Sequence, residues 1–164
     1  MDVTGQLTTI MVELVAEHEH LVRLGRQKKD LLVRNDILGL QRLVEEETEH
    51  VRQVERLELR RQRAVDRLLG NRAAGAHLQD VLAAVPEAAR ERLAEAADRL
   101  RPLLEELRRL NEQNRMLVEQ GLEFVHASME LLAAVNQTGT VYNRDAKMDE
   151  PPAGNGLSWL DRKI

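Results

Sequence analysis

The stretch LLVRNDILGL, Leu31 to Leu40, sets a short polar break between two apolar runs. Asn35 and Asp36 suit a chain reversal and the capping of a following helix, because short polar side chains bond nearby backbone groups. Upstream, Leu7, Ile10, Leu14, Leu21, Leu24 and Leu31 recur at spacings built from three and four, and Met11, Val15, Val22 and Leu32 widen the stripe. That period predicts a helix over residues 6–33, with Thr4 as its cap. Downstream, Ile37, Leu40, Val44, Val51, Val54, Val65 and Leu68 predict a second helix over 36–69, with Leu43 and Leu57 beside the stripe. So short a connection favours an antiparallel hairpin.

Gly70-Asn71 supplies a stop of the kind found at helix C-termini. A loop over 70–76 follows, then a short apolar piece, HLQDVLAAV, which Pro86 ends. From Glu87 the chain can stay helical to Val135, a length of roughly 73 Å at helical rise. Pro102 lies inside this stretch and is expected to kink or divide it. After Asn136 the sequence turns polar and offers no face to bury, which predicts a flexible tail. The last residues, LSWLDRKI, regain a small apolar face in Leu157, Leu160 and Ile164. With Trp159, that end could fold back as a plug over a vacant groove. The expected architecture is all-α: an antiparallel hairpin plus one long, kinked C-terminal helix, forming an elongated three- or four-helix bundle over 1–138, with a tail over 139–164.

Composition agrees with this and removes several functions. Charged residues make up 32% and hydrophobic ones 43%, yet Trp, Tyr and Phe occur once each, a profile of layered helices rather than sheets. The lack of cysteine rules out a disulfide framework and gives no sign of secretion. The N-terminus lacks the basic start and apolar run of a signal peptide, and no segment has the uncharged length of a membrane span. A net charge of −4 gives nucleic-acid binding no electrostatic support. The expected setting is the cytoplasm, without membrane insertion.

Two Glu-x-x-His steps, Glu17 to His20 and Glu47 to His50, raise the question of a di-iron bundle. Such a site also needs inward carboxylates from two further helices. Glu105, Glu112, Glu119, Glu123 and Glu130 all sit away from the seam of the long helix, so the ligand set stays incomplete. Neither metal nor cofactor is expected, and all five histidines read as helix-surface or rim residues. Glycine-rich phosphate loops, nucleophile elbows and strand-borne triads are missing too, so no catalytic residues are expected. The Arg-rich stretch from Arg56 to Arg72 is interleaved with Glu58 and Asp66, which makes it a solvated face before it is an anion site.

The segment RLNEQNRMLVEQGLEFVHASMELLAAV, Arg109 to Val135, carries the functional signal. At helical spacing Glu119, Glu123, His126 and Glu130 share one narrow polar strip. Opposite lie Leu117, Val118, Gly121, Leu122, Phe124, Val125, Met129, Leu131, Leu132 and Val135. This arc covers about half the circumference, whereas packing on a single core needs somewhat over 100°. A fourth helix, self-association or a partner could cover the excess. Asn111 and Asn114 fall on the apolar seam, where polar residues fix register or partner choice. Gly121 permits close approach of another backbone, and Met116 and Met129 add adaptable surface.

The run N-E-Q-N from Asn111 to Asn114, the M-L-V-E-Q-G-L that follows, and T-x-T-V-Y ending at Tyr142 resemble the FlgN-type flagellar export chaperones. The resemblance covers roughly residues 5–145. Where family members often carry a Gly shortly after the Tyr, this chain has Asn143-Arg144-Asp145-Ala146. The resemblance implies a cytoplasmic chaperone that holds C-terminal amphipathic helices of hook–filament junction proteins, prevents their premature assembly and delivers them to the export gate. It also implies that the C-terminal helix is the substrate surface and that Tyr142 contacts the gate. On that helix Leu117, Phe124, Val125, Met129 and Leu132 are the expected anchors, with Val118 and Gly121 on the same face, and Asn111 and Asn114 are expected to set register or satisfy polar groups of the guest. A helical module that uses the same face for homo-oligomerisation, with no export role, is the alternative.

Overall fold

The computed structural model describes residues 2–142, with side chains through residue 136. Its helices are α1 (Val3–Arg34), α2 (Ile37–Leu69), α3 (Leu78–Ala84) and α4 (Glu87–Tyr142), with a 3-10 turn at Gly70–Arg72. The chain divides into two units, Met1–Leu122 and Glu123–Ile164. The all-α class, the hairpin and the long last helix are those the sequence predicts.

Local chemistry sets the boundaries. Asp2, rather than Thr4, caps α1: its carboxylate accepts the Gly5 N–H at 2.6 Å. Thr4 lies within the helix, where its carbonyl accepts the Thr8 hydroxyl at 3.0 Å. At the other end Asn35 takes a left-handed conformation, φ 55°, and its N–H reaches the Leu31 and Leu32 carbonyls. Asp36 then caps α2 by accepting the Gly39 N–H at 2.8 Å. A Cβ at position 39 would lie 2.6 Å from Asp36 Oδ2 and 2.8 Å from Leu31 Cδ2, so a side chain there would have to displace the capping carboxylate and Leu31. Gly70, with φ 56°, ends α2. Past Pro86, Arg90 reaches back to the Leu82 carbonyl at 2.9 Å and ties α3 to the start of α4.

Pro102 does not divide the last helix, and α4 runs past the expected end at Val135 to Tyr142. A helix-interior proline removes one backbone bond. Here Leu100 and Leu103 pack on either side of it, among Arg, Leu and Glu residues that favour helix. The Trp159 plug falls outside the described residues.

Within the first unit, cross-helix pairs fix the directions. Glu13 meets Arg60 and Glu17 meets His50, so α2 runs antiparallel to α1. Glu19 meets Arg99, Arg26 meets Glu106, and Lys29 meets Gln113, so α4 runs parallel to α1. The main core joins Leu7, Ile10 and Leu14 of α1 to Leu57, Ala64 and Leu69 of α2, then to Val81, Val85 and Leu93. It therefore lies at the end of the hairpin away from the Asn35 turn, where α3 closes it. Along α4 the packed line is Leu93, Ala96, Leu100, Leu103, Leu107, Leu110, Asn114 and Leu117, alternating steps of three and four. The α2 stripe divides differently from expectation. Leu43 and Leu57 are buried, whereas Ile37, Val44 and Val51 are exposed.

One α1–α4 link titrates. The Arg109 guanidinium hydrogen-bonds Glu106 and, with Arg26, holds its carboxyl below the usual range, against the opposing effect of desolvation. A depressed folded value means that the stabilisation is present above the unfolded carboxylate pKa and is lost as pH falls through the folded one. Glu106→Gln should accordingly be the less stable protein at neutral pH, with the gap closing on acidification. Paired denaturant melts at several pH values, at low salt, would measure this; a gap that widens in acid contradicts it.

Candidate functional site

The two Glu-x-x-His steps meet across the α1–α2 hairpin. His50 Nδ1 lies 2.7 Å from Glu17 Oε2. The His20 and His50 rings stack at 4.9 Å and 11°. Arg23 donates to His20 Nδ1 at 2.7 Å, and Lys28 pairs with Glu47. Each group thus has a protein partner, and the arrangement is a polar clasp between helices. Among the described residues, no group of three or more His, Cys, Asp or Glu is placed to hold a metal ion. His18 departs from the expected surface position. It is buried, and its Nδ1–H donates to the Leu14 carbonyl at 2.7 Å. The signal was present in the sequence, since His18 stands four residues after Leu14 and three before Leu21, on the α1 stripe.

The predicted substrate residues fall into distinct settings along α4. Asn114 is only 5% exposed, and its Nδ2 donates to the Gly25 carbonyl at 3.0 Å. Its Oδ1 has no hydrogen-bond partner. This is the register role: the amide locks α4 to α1, and the orphan acceptor carries the energetic penalty of that specificity. Asn111 is exposed and Leu117 half-buried. Val118 is exposed, and nothing lies within 4 Å of where a Gly121 Cβ would stand, so no described backbone makes the close approach that glycine allows.

In the second unit every apolar side chain of the predicted arc is exposed. Phe124 is 74% exposed, and Val125, Met129, Leu131, Leu132 and Val135 are exposed too. Ser128 turns its hydroxyl back onto the Phe124 carbonyl at 2.8 Å, which removes it as a polar interruption. Glu123, His126 and Glu130 occupy the opposite side by helical phase. Large contiguous apolar surface of this kind marks an interaction site. One bare helical face with anchors at steps of three and four suits another amphipathic helix. Tyr142 is the last helical residue, and its side chain lies outside the description.

Arrangement and site together define a helical binding protein. The FlgN protein family model matches residues 1–150, and the chain belongs to that family. The family consists of chaperones that act on flagellar export substrates and are not enzymes. No curated protein and no solved structure matches the chain. No helix among the described residues is long and apolar enough to cross a membrane.

Proposed function

We propose that this chain is a cytoplasmic chaperone for the hook–filament junction proteins, holding their C-terminal amphipathic helices before export and handing them to the flagellar export gate. The supporting observation is the exposed apolar face of α4 from Phe124 to Leu132. Left alone, such a face promotes aggregation; covered by a guest helix, it protects both partners. Phe124, Val125, Met129 and Leu132 are the anchors, and Leu117, Val118 and Gly121 of the first unit are proposed as contacts of their own. Asn111 sits where it can meet polar groups of a guest, while Asn114 sets register. Tyr142 is the contact with the gate.

Titration of a junction-protein C-terminal peptide tests the reading. Val125→Asp places an unpaired charge in the buried centre of the contact and should weaken binding at least tenfold, with helix content unchanged because Val125 is exposed in the free protein. Undiminished affinity removes this face from the binding role. Tyr142→Ala should leave peptide affinity intact and reduce export; a variant that exports normally ends the gate assignment.

A further inference from the structure

The first unit has a further unpartnered apolar surface, built on α2 and sharing Asn111 and Val118 of α4 with the residues used above. Ile37, Val44 and Val51 recur on α2 at steps of seven, and Leu104 and Val118 do so on α4 with Asn111 midway. All five apolar side chains are at least 41% exposed. A step of seven keeps residues on one helical face. The next α2 position in the series is Glu58, and Glu58 and Leu104 both line a cavity of about 370 Å³ floored by Leu7 and Met11 of α1. The two lines therefore start from opposite walls of one trough. The seven-residue α3 closes it only beside the core. From Glu58 to Ile37 the α2 line spans roughly 32 Å at helical rise, about six turns, and its apolar members are exposed.

Its edges differ in charge. On α4, Arg101 lines the cavity and Arg108 follows one step of seven later. Arg108 makes no ion pair among the described residues, and the Arg101 contact with Asp98 is long, at 3.9 Å. On the outer edge of α2 the same step gives Gln41, Thr48, Glu55 and Gln62, with one charge among them. A strand, whose side chains repeat every two residues, cannot follow walls that repeat every seven. The chain's own Leu157–Ile164 stretch has Arg162 and Lys163 against one Asp161, the wrong sign for this edge.

We propose that this trough docks a second segment of the export substrate: an amphipathic helix, acidic along the flank that faces α4. The proposal rests on the chaperone reading for the source of the partner. It does not rest on the Phe124–Val135 face, so the two can fail separately.

Two designed helical peptides test it on the full chain. Both have the same leucine face; one has Glu along a flank and the other has Lys at those positions. The Glu peptide should bind at least tenfold more tightly than its Lys twin at low salt, and added salt should narrow the difference. Val51→Asp should abolish that binding, Val125→Asp should leave it, and Arg101→Glu with Arg108→Glu should reverse the preference. Equal binding of the two peptides overturns the proposal, as does loss with Val125→Asp but not Val51→Asp. Sedimentation in which Val51→Asp only dissolves a dimer assigns the trough to a second copy, and Trp159 emission that shifts with Val51→Asp assigns it to the chain's own end. Either result also overturns the proposal.

Discussion

Leu14→Ala should destabilise the protein by about 2–5 kcal/mol, a large fraction of what a domain of this size possesses. Leu14 is 0% exposed, and it packs in the cluster where α1, α2, α3 and the start of α4 converge. Truncation removes the transfer energy of three carbons and leaves a cavity that four converging segments cannot easily close. The proper comparison is Leu132→Ala, the same chemical change on a bare helical face. There the effect on stability should stay within about 0.5 kcal/mol, while affinity for a junction peptide falls. Chemical denaturation of the two variants beside the parent reads out the difference. Equal stabilities for Leu14→Ala and the parent would mean that the core is not where the packing places it.

That pairing also shows what periodicity conveys and what it withholds. An apolar stripe reports that a surface prefers cover; it does not report whether the cover lies in the same chain. On α1 the stripe from Leu7 to Leu24 is buried as expected. On α2 the line Ile37, Val44, Val51 looks equally convincing in the sequence, yet it is bare because α3 is too short to reach it. The caps were legible where one residue sets them, as at Asp36 and Gly70, and were misplaced by two residues at Asp2, where Thr4 offered the same chemistry. At Pro102 the helix continues undivided, because one lost backbone bond is outweighed when the flanking leucines are packed. On α4, Asn114 was legible as a seam residue, but its partner, the Gly25 carbonyl, was not, because a contact across 89 positions leaves no local trace. The bare face from Phe124 onward was legible, since its excess width exceeds what any single core requires.

Gly25→Leu should be the most damaging change on the α1–α4 contact, and the reason lies in the distances. A Cβ at position 25 would stand 3.3 Å from Leu110 Cδ1 and 3.4 Å from Leu110 Cβ. Alanine needs only a shift of a few tenths of an ångström there, and its gain in helix propensity of about 1 kcal/mol should roughly offset that contact. Leucine adds three further carbons where Leu110 already fills the space, and overpacking of that kind costs about 1–3 kcal/mol. Moving α4 away to make room breaks the bond from Asn114 to the Gly25 carbonyl. The buried amide then has neither donor nor acceptor satisfied, a further loss of about 1–3 kcal/mol. Gly25→Ala should therefore melt close to the parent and Gly25→Leu well below it. Adding Leu110→Ala should recover part of the loss in the Leu variant while destabilising the parent, a coupling that a double-mutant cycle measures directly. Strict additivity would show that residues 25 and 110 do not touch, and the parallel α1–α4 register would have to be redrawn.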